Sequence, residues 1–209
     1  NKKLLYIFTY IVEDVFLFPV YPAGMWNENY KDKDLFINSS SEMPMFFERV
    51  KCKTLCHKYN QLAPDMLSAR QQLIKKIIGK TGGLFLIEQP FMCDYGSNIK
   101  IGANFYSNHN LLILDAGEVI FGDNVLIGPN CSFYTPKHPL DAATRNKGLD
   151  CSMPIKVGDN VWICGNVTVL AGVSIGDNSV IAAGSLVNKD IPPNVLAAGN
   201  PCKIVKKIS

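Results

Sequence analysis

The sequence lacks the features that mark several protein classes. Its 209 residues carry a formal net charge of only +3 and no long run of lysine and arginine, which argues against a dedicated nucleic-acid surface. The apolar runs near the N-terminus, residues 4–11 and 15–21, are much shorter than the ~20 residues that span a bilayer. We therefore expect neither a nucleic-acid partner nor a membrane partner.

The cysteines are numerous, but their spacing matches no common disulfide or zinc-binding pattern. There are seven of them, an odd number with no Cys-x-x-Cys pair, so neither a disulfide framework nor a zinc ribbon is supported. Cys52, Cys56 and His57 lie close together on a predicted helix, but we interpret this cluster as helix packing and expect no metal. Buried reduced thiols suit a cytoplasmic protein.

An apolar residue recurs at every sixth position in the second half of the chain. The series runs through Val157, Ile163, Val169, Ile175 and Ile181. A period of six fits neither a 3.6-residue helix nor a period-two hairpin, and it is typical of the hexapeptide repeats of a parallel β-helix. Each hexapeptide forms one short strand and one turn, three form a coil, and stacked coils share a core.

The repeat divides the chain into four regions. We expect a 1–36 extension of unknown structure, a 37–82 helical segment, an 83–191 β-helix and a 192–209 tail. The two helices are predicted near residues 45–59 and from Pro64 onward, and Pro192-Pro193 should stop the last strand because proline cannot donate to a strand ladder. The repeat lapses over residues 134–154, and such an excursion is usually functional, although a plain surface loop is the alternative.

Several sequence blocks accompany the repeat in a fixed order. They are Lys53-Thr54-Leu55, Asp94-Tyr95-Gly96-Ser97-Asn98-Ile99, Asn104-Phe105-Tyr106-Ser107-Asn108, His138-Pro139-Leu140-Asp141, Val157-Gly158-Asp159-Asn160-Val161-Trp162 and Gly199-Asn200-Pro201. With these blocks, residues 42–208 resemble the galactoside/maltose O-acetyltransferase family of hexapeptide-repeat acyltransferases. The resemblance implies a mainly β fold, a left-handed parallel β-helix. It also implies a homotrimer with active sites between subunits and acetyl-CoA as the acyl donor.

The chemistry of O-acetylation needs a general base, because a hydroxyl is a poor nucleophile at neutral pH. The chain offers three histidines, His57, His109 and His138, and histidine is the usual base because its pKa lies near neutrality. His57 is assigned to helix packing, and His109 to packing or to lining the acceptor site. His138 lies in the excursion and matches the family's base. Asp150 matches a carboxylate that orients it, although a solvated loop acid is the alternative.

The resemblance also implies residues for the two substrates. On the acceptor side it implies Asn38, Asp94, Tyr106, Asn108, Asp115 and Asp150. On the cofactor side it implies Trp162, Gly165, Ala183, Asn188, Lys189, Lys203 and Lys206, although a solvated basic tail is the alternative for the lysines. Ala116 stands where the galactoside enzymes carry a second acid, which weakens the case for a galactoside substrate.

These observations lead to one expected function and two rivals. We expect an acetyl-CoA-dependent O-acetyltransferase in which the hydroxyl of a sugar or similar small acceptor attacks the thioester directly, with His138 as base. A serine acetyltransferase-like enzyme shares fold and donor but carries a longer helical N-terminal domain. A non-catalytic β-helix scaffold is the rival of another class. Zinc-binding carbonic anhydrases are rejected because their ligand histidines lie close in sequence, unlike His109 and His138.

Overall fold

A computed structural model of the chain describes residues 36–37 and 43–208. Its helices are α1 Met43–Asn60, α2 Leu67–Ile77 and the short α3 Ala142–Arg145. The two predicted helices are confirmed, but α2 begins later than Pro64 because residues 63–67 form a turn, in which the Met66 N–H donates to the Ala63 carbonyl at 3.0 Å. None of the described helices is long and apolar enough to cross a membrane.

The strands wind into a parallel solenoid with three faces. The first face contains β2 Lys80–Thr81, β5 Ile99–Ile101, β8 Val119–Phe121, β13 Ile155–Val157 and β16 Ser174–Ile175. The second face contains β3 Phe85–Ile87, β6 Phe105–Ser107, β9 Leu126–Ile127, β14 Trp162–Ile163, β17 Val180–Ile181, β19 Val195–Ala198 and β20 Lys203–Lys207. The third face contains β4 Phe91–Cys93, β7 Leu111–Leu114, β10 Ser132–Tyr134, β15 Thr168–Leu170 and β18 Leu186–Val187.

The apolar repeat forms the core of this prism. Alternate residues of each strand point inward, and Ile163, Val169 and Ile181 are fully buried. Phe121 makes edge-on contacts with both Phe105 and Phe133, at ring-centre distances of 5.3 and 5.0 Å. Phe121 belongs to the first face, Phe105 to the second and Phe133 to the third, so the core is shared by all three sheets.

Asparagines in the left-handed conformation make the turns at two of the three corners. Between the first and second faces, five stacked asparagines have φ between 54° and 59°: Asn104, Asn124, Asn160, Asn178 and Asn194. The side-chain N–H of each of the first four donates to the side-chain oxygen of the next asparagine at 3.0 Å. Asparagine tolerates this conformation better than most residues, and the stacked amides satisfy one another along the corner.

The helices cover the N-terminal end of the solenoid. The Asn60 side chain exchanges two hydrogen bonds of 2.9 Å with the backbone of Phe91 on β4. Buried Arg70 of α2 donates to the Ile87 carbonyl at 3.0 Å and to Glu88 at 2.7 Å. The first coil would otherwise expose its core, so these polar contacts anchor the helical cap that closes it.

The solenoid continues past the point where the sequence analysis ended it. Ile191 bridges Ile175 in parallel, Pro192 and Pro193 occupy the following corner, and β19 pairs in parallel with β17. The prolines therefore mark a turn, where no ladder N–H is required, and the expected boundary at residue 191 is wrong. The tail then reverses, and β20 runs antiparallel to β19 along the edge of the second face.

The excursion between β10 and β13 has its own structure. It contains β11 Pro136–Lys137, α3 and β12 Leu149–Ser152, and Asp141 caps α3 by accepting a 2.7 Å hydrogen bond from the Thr144 N–H. Strand β12 pairs antiparallel with β11 on one side and with β1 Phe36–Ile37 on the other. The segment is thus an ordered three-stranded layer rather than a plain loop. Most of the expected 1–36 extension, and Asn38, lie outside the described residues.

Candidate active site

Four of the predicted site residues share one edge of the prism, the corner where the third face passes into the first. Asp94 follows β4 and Asp115 follows β7. His138 and Asp150 belong to the excursion, which leaves the same corner after β10. Successive coils therefore stack these side chains in one region, although 56 positions separate the first from the last in sequence (150 − 94). We call this group the corner cluster.

Asp94 is held in place by a cation from α1. Its carboxylate is buried and accepts a 3.2 Å hydrogen bond from the Arg49 guanidinium, with the Lys53 ammonium 3.9 Å away. Arg49 also lies over the Tyr95 ring at 5.9 Å. A buried carboxylate needs such pairing, so Arg49 belongs to the corner cluster together with Asp94.

Asp115 lies buried beneath the other residues of the cluster. It is fully buried, and its Oδ1 accepts from the backbone N–H groups of Asp94 and Tyr95 at 3.0 and 2.9 Å. Burial raises the pKa of Asp115, and the backbone N–H donors act against that rise. The buried carboxylate thus holds the turn that carries Asp94, and the acceptor-side role of Asp115 stays a prediction.

His138 and Asp150 face each other across the excursion. The antiparallel register pairs Lys137 with Cys151, which brings the next residues, exposed His138 and half-buried Asp150, opposite one another. Burial raises the pKa of Asp150, while the charges of His138 and Arg49 lower it. No hydrogen bond links the His138 ring to the Asp150 carboxylate in the part of the chain that the structure describes, so the two groups interact through charge.

Apart from Asn188 and Lys189, the remaining predicted residues that the structure describes lie on the second face and at its corner with the third. Tyr106, Leu126 and Trp162 are aligned on β6, β9 and β14 and form one outward row. Leu126 and Trp162 are 48% and 52% exposed. Asn108 follows β6, and its side-chain oxygen accepts from the His109 N–H at 2.7 Å. The His109 ring in turn contacts the Gln89 carbonyl at 2.7 Å, which supports the packing role for this histidine.

Gly165 and Ala183 occupy the corner between the second and third faces. The Gly165 carbonyl accepts from the Gly184 N–H at 3.0 Å, so it is already used by the solenoid. A Cβ added at Gly165 would approach Pro129 to 3.2 Å. The glycine thus packs closely against the neighbouring turn, next to exposed Ala183.

The four predicted phosphate-side residues do not form one patch in a single chain. Asn188 and Lys189 lie at the corner after β18, the same edge as the corner cluster. Lys203 and Lys206 lie on β20, opposite Ala198 and Leu196 of the second face. All four are exposed. If all of these lysines contact one nucleotide, as expected, then that nucleotide is bound by residues from more than one edge of the prism.

The positions of the predicted residues around the prism thus do not follow their expected roles toward the acceptor and the cofactor. Tyr106 and Asn108, expected on the acceptor side, share the second face and its corner with Trp162, Gly165 and Ala183, expected on the cofactor side. The corner cluster lies on another edge. We call the group of Tyr106, Asn108 and Trp162 the second-face group. A cavity of about 650 Å³ between α1 and residues 95–98 is lined by neither group.

Arg49 is the functional candidate that the sequence analysis missed. The chain has three arginines, and each donates to a specific partner: Arg49 to Asp94, Arg70 to Glu88 and Arg145 to the Pro139 carbonyl. Arginine is favoured over lysine where fixed geometry matters. Its rarity in a lysine-rich chain was the available signal, but the contact with Asp94 depends on packing of α1 against β4.

Comparisons with known proteins agree with this architecture. Residues 154–189 match the family described as bacterial transferase hexapeptide (six repeats), and residues 45–82 match the maltose acetyltransferase hexapeptide capping motif. The chain is 44% identical over 182 residues to the galactoside O-acetyltransferase of Escherichia coli, covering 87% of this chain and 89% of that protein.

Two solved structures have the same fold. A maltose O-acetyltransferase from Clostridium difficile 630 superposes with a TM-score of 0.81 at 44% identity, covering 81% of this chain and 91% of that one. A galactoside acetyltransferase in complex with coenzyme A superposes with a TM-score of 0.80 at 45% identity, covering 84% of this chain and 86% of that one. The two family matches cover residues of both the helical cap and the solenoid.

Proposed function

Because the chain belongs to the galactoside/maltose O-acetyltransferase family of hexapeptide-repeat acyltransferases, we propose that it transfers acetyl from acetyl-CoA to a hydroxyl of a sugar or similar small acceptor. The observation that carries this proposal is the pairing of exposed His138 with half-buried Asp150 in the corner cluster. A histidine beside a carboxylate is the arrangement of a general base and the group that orients it.

In the proposed reaction, the acceptor oxygen attacks the carbonyl carbon of the thioester while His138 takes the hydroxyl proton. A C–O bond forms, the C–S bond breaks, and the proton passes from His138 to the departing thiolate. The Asp150 carboxylate favours the protonated imidazole that exists between these two transfers. Asp150 lies near His138 without a hydrogen bond between the side chains, so its contribution is through charge in this geometry.

Arg49 and Asp94 supply polar groups beside the base. Their ion pair presents fixed donors and acceptors in the same cluster, which suits a polyhydroxyl acceptor better than an apolar one. Ala116 follows Asp115 directly and carries no charge. We therefore propose an acceptor whose recognition does not depend on a second acid at this position, which separates it from the galactoside pattern.

The site is completed by a second copy of the chain. The corner cluster and the second-face group lie on different edges of one prism, yet the proposed chemistry needs the base and the acyl donor together. The exposed row that includes Leu126 and Trp162 would be covered by a neighbour, and such an apolar strip is typical of an interface. A closed trimer would place one corner cluster against the second-face group of the next subunit at three equivalent sites.

On the cofactor side, the residues fit an extended thioester. Trp162 offers an exposed apolar surface, and the small residues Gly165 and Ala183 at the neighbouring corner leave room for a narrow chain. Lys203 follows the turn at residues 199–202, in which the Cys202 N–H donates to the Leu186 carbonyl at 2.8 Å. It thus lies at the C-terminal end of the edge that carries Ala183, where a cation suits a phosphate.

An acceptor screen with a free-thiol readout tests the proposal. Purified protein, acetyl-CoA and a panel of mono- and disaccharides, polyols and L-serine would be followed by release of the CoA thiol. We expect turnover with a sugar or polyol, lowered by roughly 10²–10⁴-fold in His138→Ala. Turnover with L-serine alone would favour the serine acetyltransferase-like alternative. Tight binding of acetyl-CoA without turnover on any acceptor would favour the scaffold.

A further inference from the structure

Three cysteines from distant parts of the sequence meet beneath the helical cap. Cys52 and Cys56 lie one turn apart on α1, and Cys93 ends β4. The Cys93 sulfur lies 3.5 Å from that of Cys52 and 3.7 Å from that of Cys56, and all three sulfurs lie within 4.8 Å of one another. All three are buried. We call them the thiol cluster.

The spacing of the thiol cluster is that of ligands around a shared ion. With metal–sulfur distances of about 2.3 Å, the sulfurs of a tetrahedral or trigonal site lie roughly 3.8–4.0 Å apart. The measured separations are slightly shorter or comparable, so small rotations of the side chains would accommodate an ion. His57, the neighbour considered from sequence, is exposed and does not belong to the cluster, whereas Cys93 supplies the third sulfur.

The surroundings of the cluster favour a cation. Asp115 lies within electrostatic range of Cys52. Its Oδ2 is buried and has no hydrogen-bond partner, although its Oδ1 is fully used by backbone donors. An unpaired buried carboxylate oxygen is costly and adds negative potential beside the sulfurs. Cys52 also lines the 650 Å³ cavity, which gives an ion a route from solvent.

From this geometry we propose that Cys52, Cys56 and Cys93 form a three-thiolate site for a soft d¹⁰ metal ion, with Cu(I) as the best match. Thiolates select Cu(I) and Zn(II) among the biological metals. Structural zinc is almost always four-coordinate, and no fourth His, Cys, Asp or Glu ligand joins these three within the described part of the chain. The site is separate from the transfer chemistry and would tie α1 to β4, against the expectation that the chain binds no metal.

Metal binding should be measured on the reduced full chain under anaerobic conditions. Cu(I) would be delivered from a coloured competing chelator and Zn(II) titrated in parallel, with metal content determined after gel filtration. We expect one Cu(I) per chain, with Zn(II) unable to displace it. Binding of Zn(II) but not Cu(I) would overturn the copper assignment, and retention of neither metal would overturn the site.

The variants give a matched comparison of one cluster thiol with one thiol elsewhere. Cys56→Ser should weaken Cu(I) binding by more than the ~10–100-fold that loss of an outer-shell partner costs. Cys131→Ala should bind as wild type, because Cys131 is equally buried but lies in the solenoid, where its thiol donates to the Cys164 carbonyl at 3.0 Å. Equal losses in both variants would contradict the proposal.

Two further measurements keep the test decisive. If Cys56→Ser does not fold, as judged by circular dichroism, Cys93→Ala takes its place with the same expected loss. Cu(I) should also raise the unfolding temperature of wild type and not of the cluster variant, because a ligand that binds only the folded state stabilises it. A stabilisation of equal size in both proteins would show that the ion binds elsewhere.

Discussion

At the scale of single residues, the proposed chemistry depends on His138. We predict that His138→Ala lowers kcat by roughly 10²–10⁴-fold, the usual contribution of a general base, and leaves the affinity for acetyl-CoA nearly unchanged. The measurement is steady-state kinetics with the acceptor found in the screen, together with calorimetric titration of acetyl-CoA. His57→Ala is the matched control, because His57 is exposed on α1 and outside the corner cluster.

Asp150 provides a check on the same prediction. If this carboxylate acts through His138, Asp150→Asn should lower kcat in the wild-type background and have no further effect in His138→Ala. Additive losses in the double variant would mean that Asp150 acts independently of the base. Equal kcat for His138→Ala and wild type would remove His138 from the mechanism.

Asp115 predicts how stability changes with pH. Burial raises its pKa above the ordinary value of 3.8, so the folded state binds this proton more tightly than the unfolded state does. Ionisation therefore opposes folding, and the cost appears as pH rises from the ordinary value through the raised one, then stays constant. Asp115→Asn cannot ionise, so its stability relative to wild type should increase across that window.

Urea unfolding at a series of pH values would measure this difference. Asp65→Asn serves as the control, because Asp65 is exposed in the turn before α2. If the free energies of unfolding of Asp115→Asn and wild type differ by a constant amount from acid to neutral pH, ionisation of the buried Asp115 carboxylate does not affect stability.

At the scale of single elements, the left-handed turns of the solenoid contribute to its stability. Asn160 has φ 56° and donates to Asn178 in the stacked row of asparagines. We predict that Asn160→Ala is less stable than Asn160→Gly by about 1–2 kcal/mol, the cost of the left-handed conformation for a residue with a Cβ. Both variants lose the amide hydrogen bond, so their difference isolates the backbone. Denaturant unfolding of the two proteins measures it, and equal stabilities would contradict the assignment.

The exposed lysines of the edge strand β20 are expected to affect the KM for acetyl-CoA. Replacing Lys203 and Lys206 with alanine should raise the KM for acetyl-CoA several-fold at low salt, less at high salt because exposed charges are screened, with kcat little changed. Lys203→Ala alone should account for most of the change, since Lys206 lies at the other end of β20 from Ala183. Lys58→Ala, an exposed change on α1, is the control. An unchanged KM at low salt would mean that the β20 lysines are exposed to solvent and do not contact acetyl-CoA.

At the scale of the whole molecule, the separation of the two groups predicts complementation between inactive chains. His138→Ala lacks the base of the corner cluster, and Asn108→Ala lacks a member of the second-face group. If each site combines the corner cluster of one subunit with the second face of its neighbour, co-assembled chains should recover roughly a quarter of wild-type activity by random mixing in a closed ring.

Sedimentation of the mixed sample should give a trimer. Separately purified variants combined without co-assembly should stay inactive. Either an active monomer or mixed trimers without recovery would contradict an active site between subunits.

How far sequence reasoning reaches can be seen in particular elements. The six-residue period identified the solenoid because apolar residues at fixed spacing have only one way to be buried together, as Ile163, Val169 and Ile181 show. The local argument about Pro192 and Pro193 was wrong because it applied a strand rule at a corner. The acceptor-side roles of Tyr106 and Asn108 and the cofactor-side role of Trp162 stay predictions, and the order of faces around a coil adds only that Tyr106 and Trp162 lie on one face.

Sequence alone thus determined the repeating unit, the two helices and the excursion, because spacing along a chain fixes which residues can be buried in register. The candidate base, His138, rests on its place in the excursion and on the family resemblance. Only the tertiary structure decided which distant residues meet. Arg49 reaches Asp94, and Cys93 reaches Cys52 and Cys56, because α1 packs across the first coil at β4. That packing depends on the shapes of two surfaces, which no period in the sequence records.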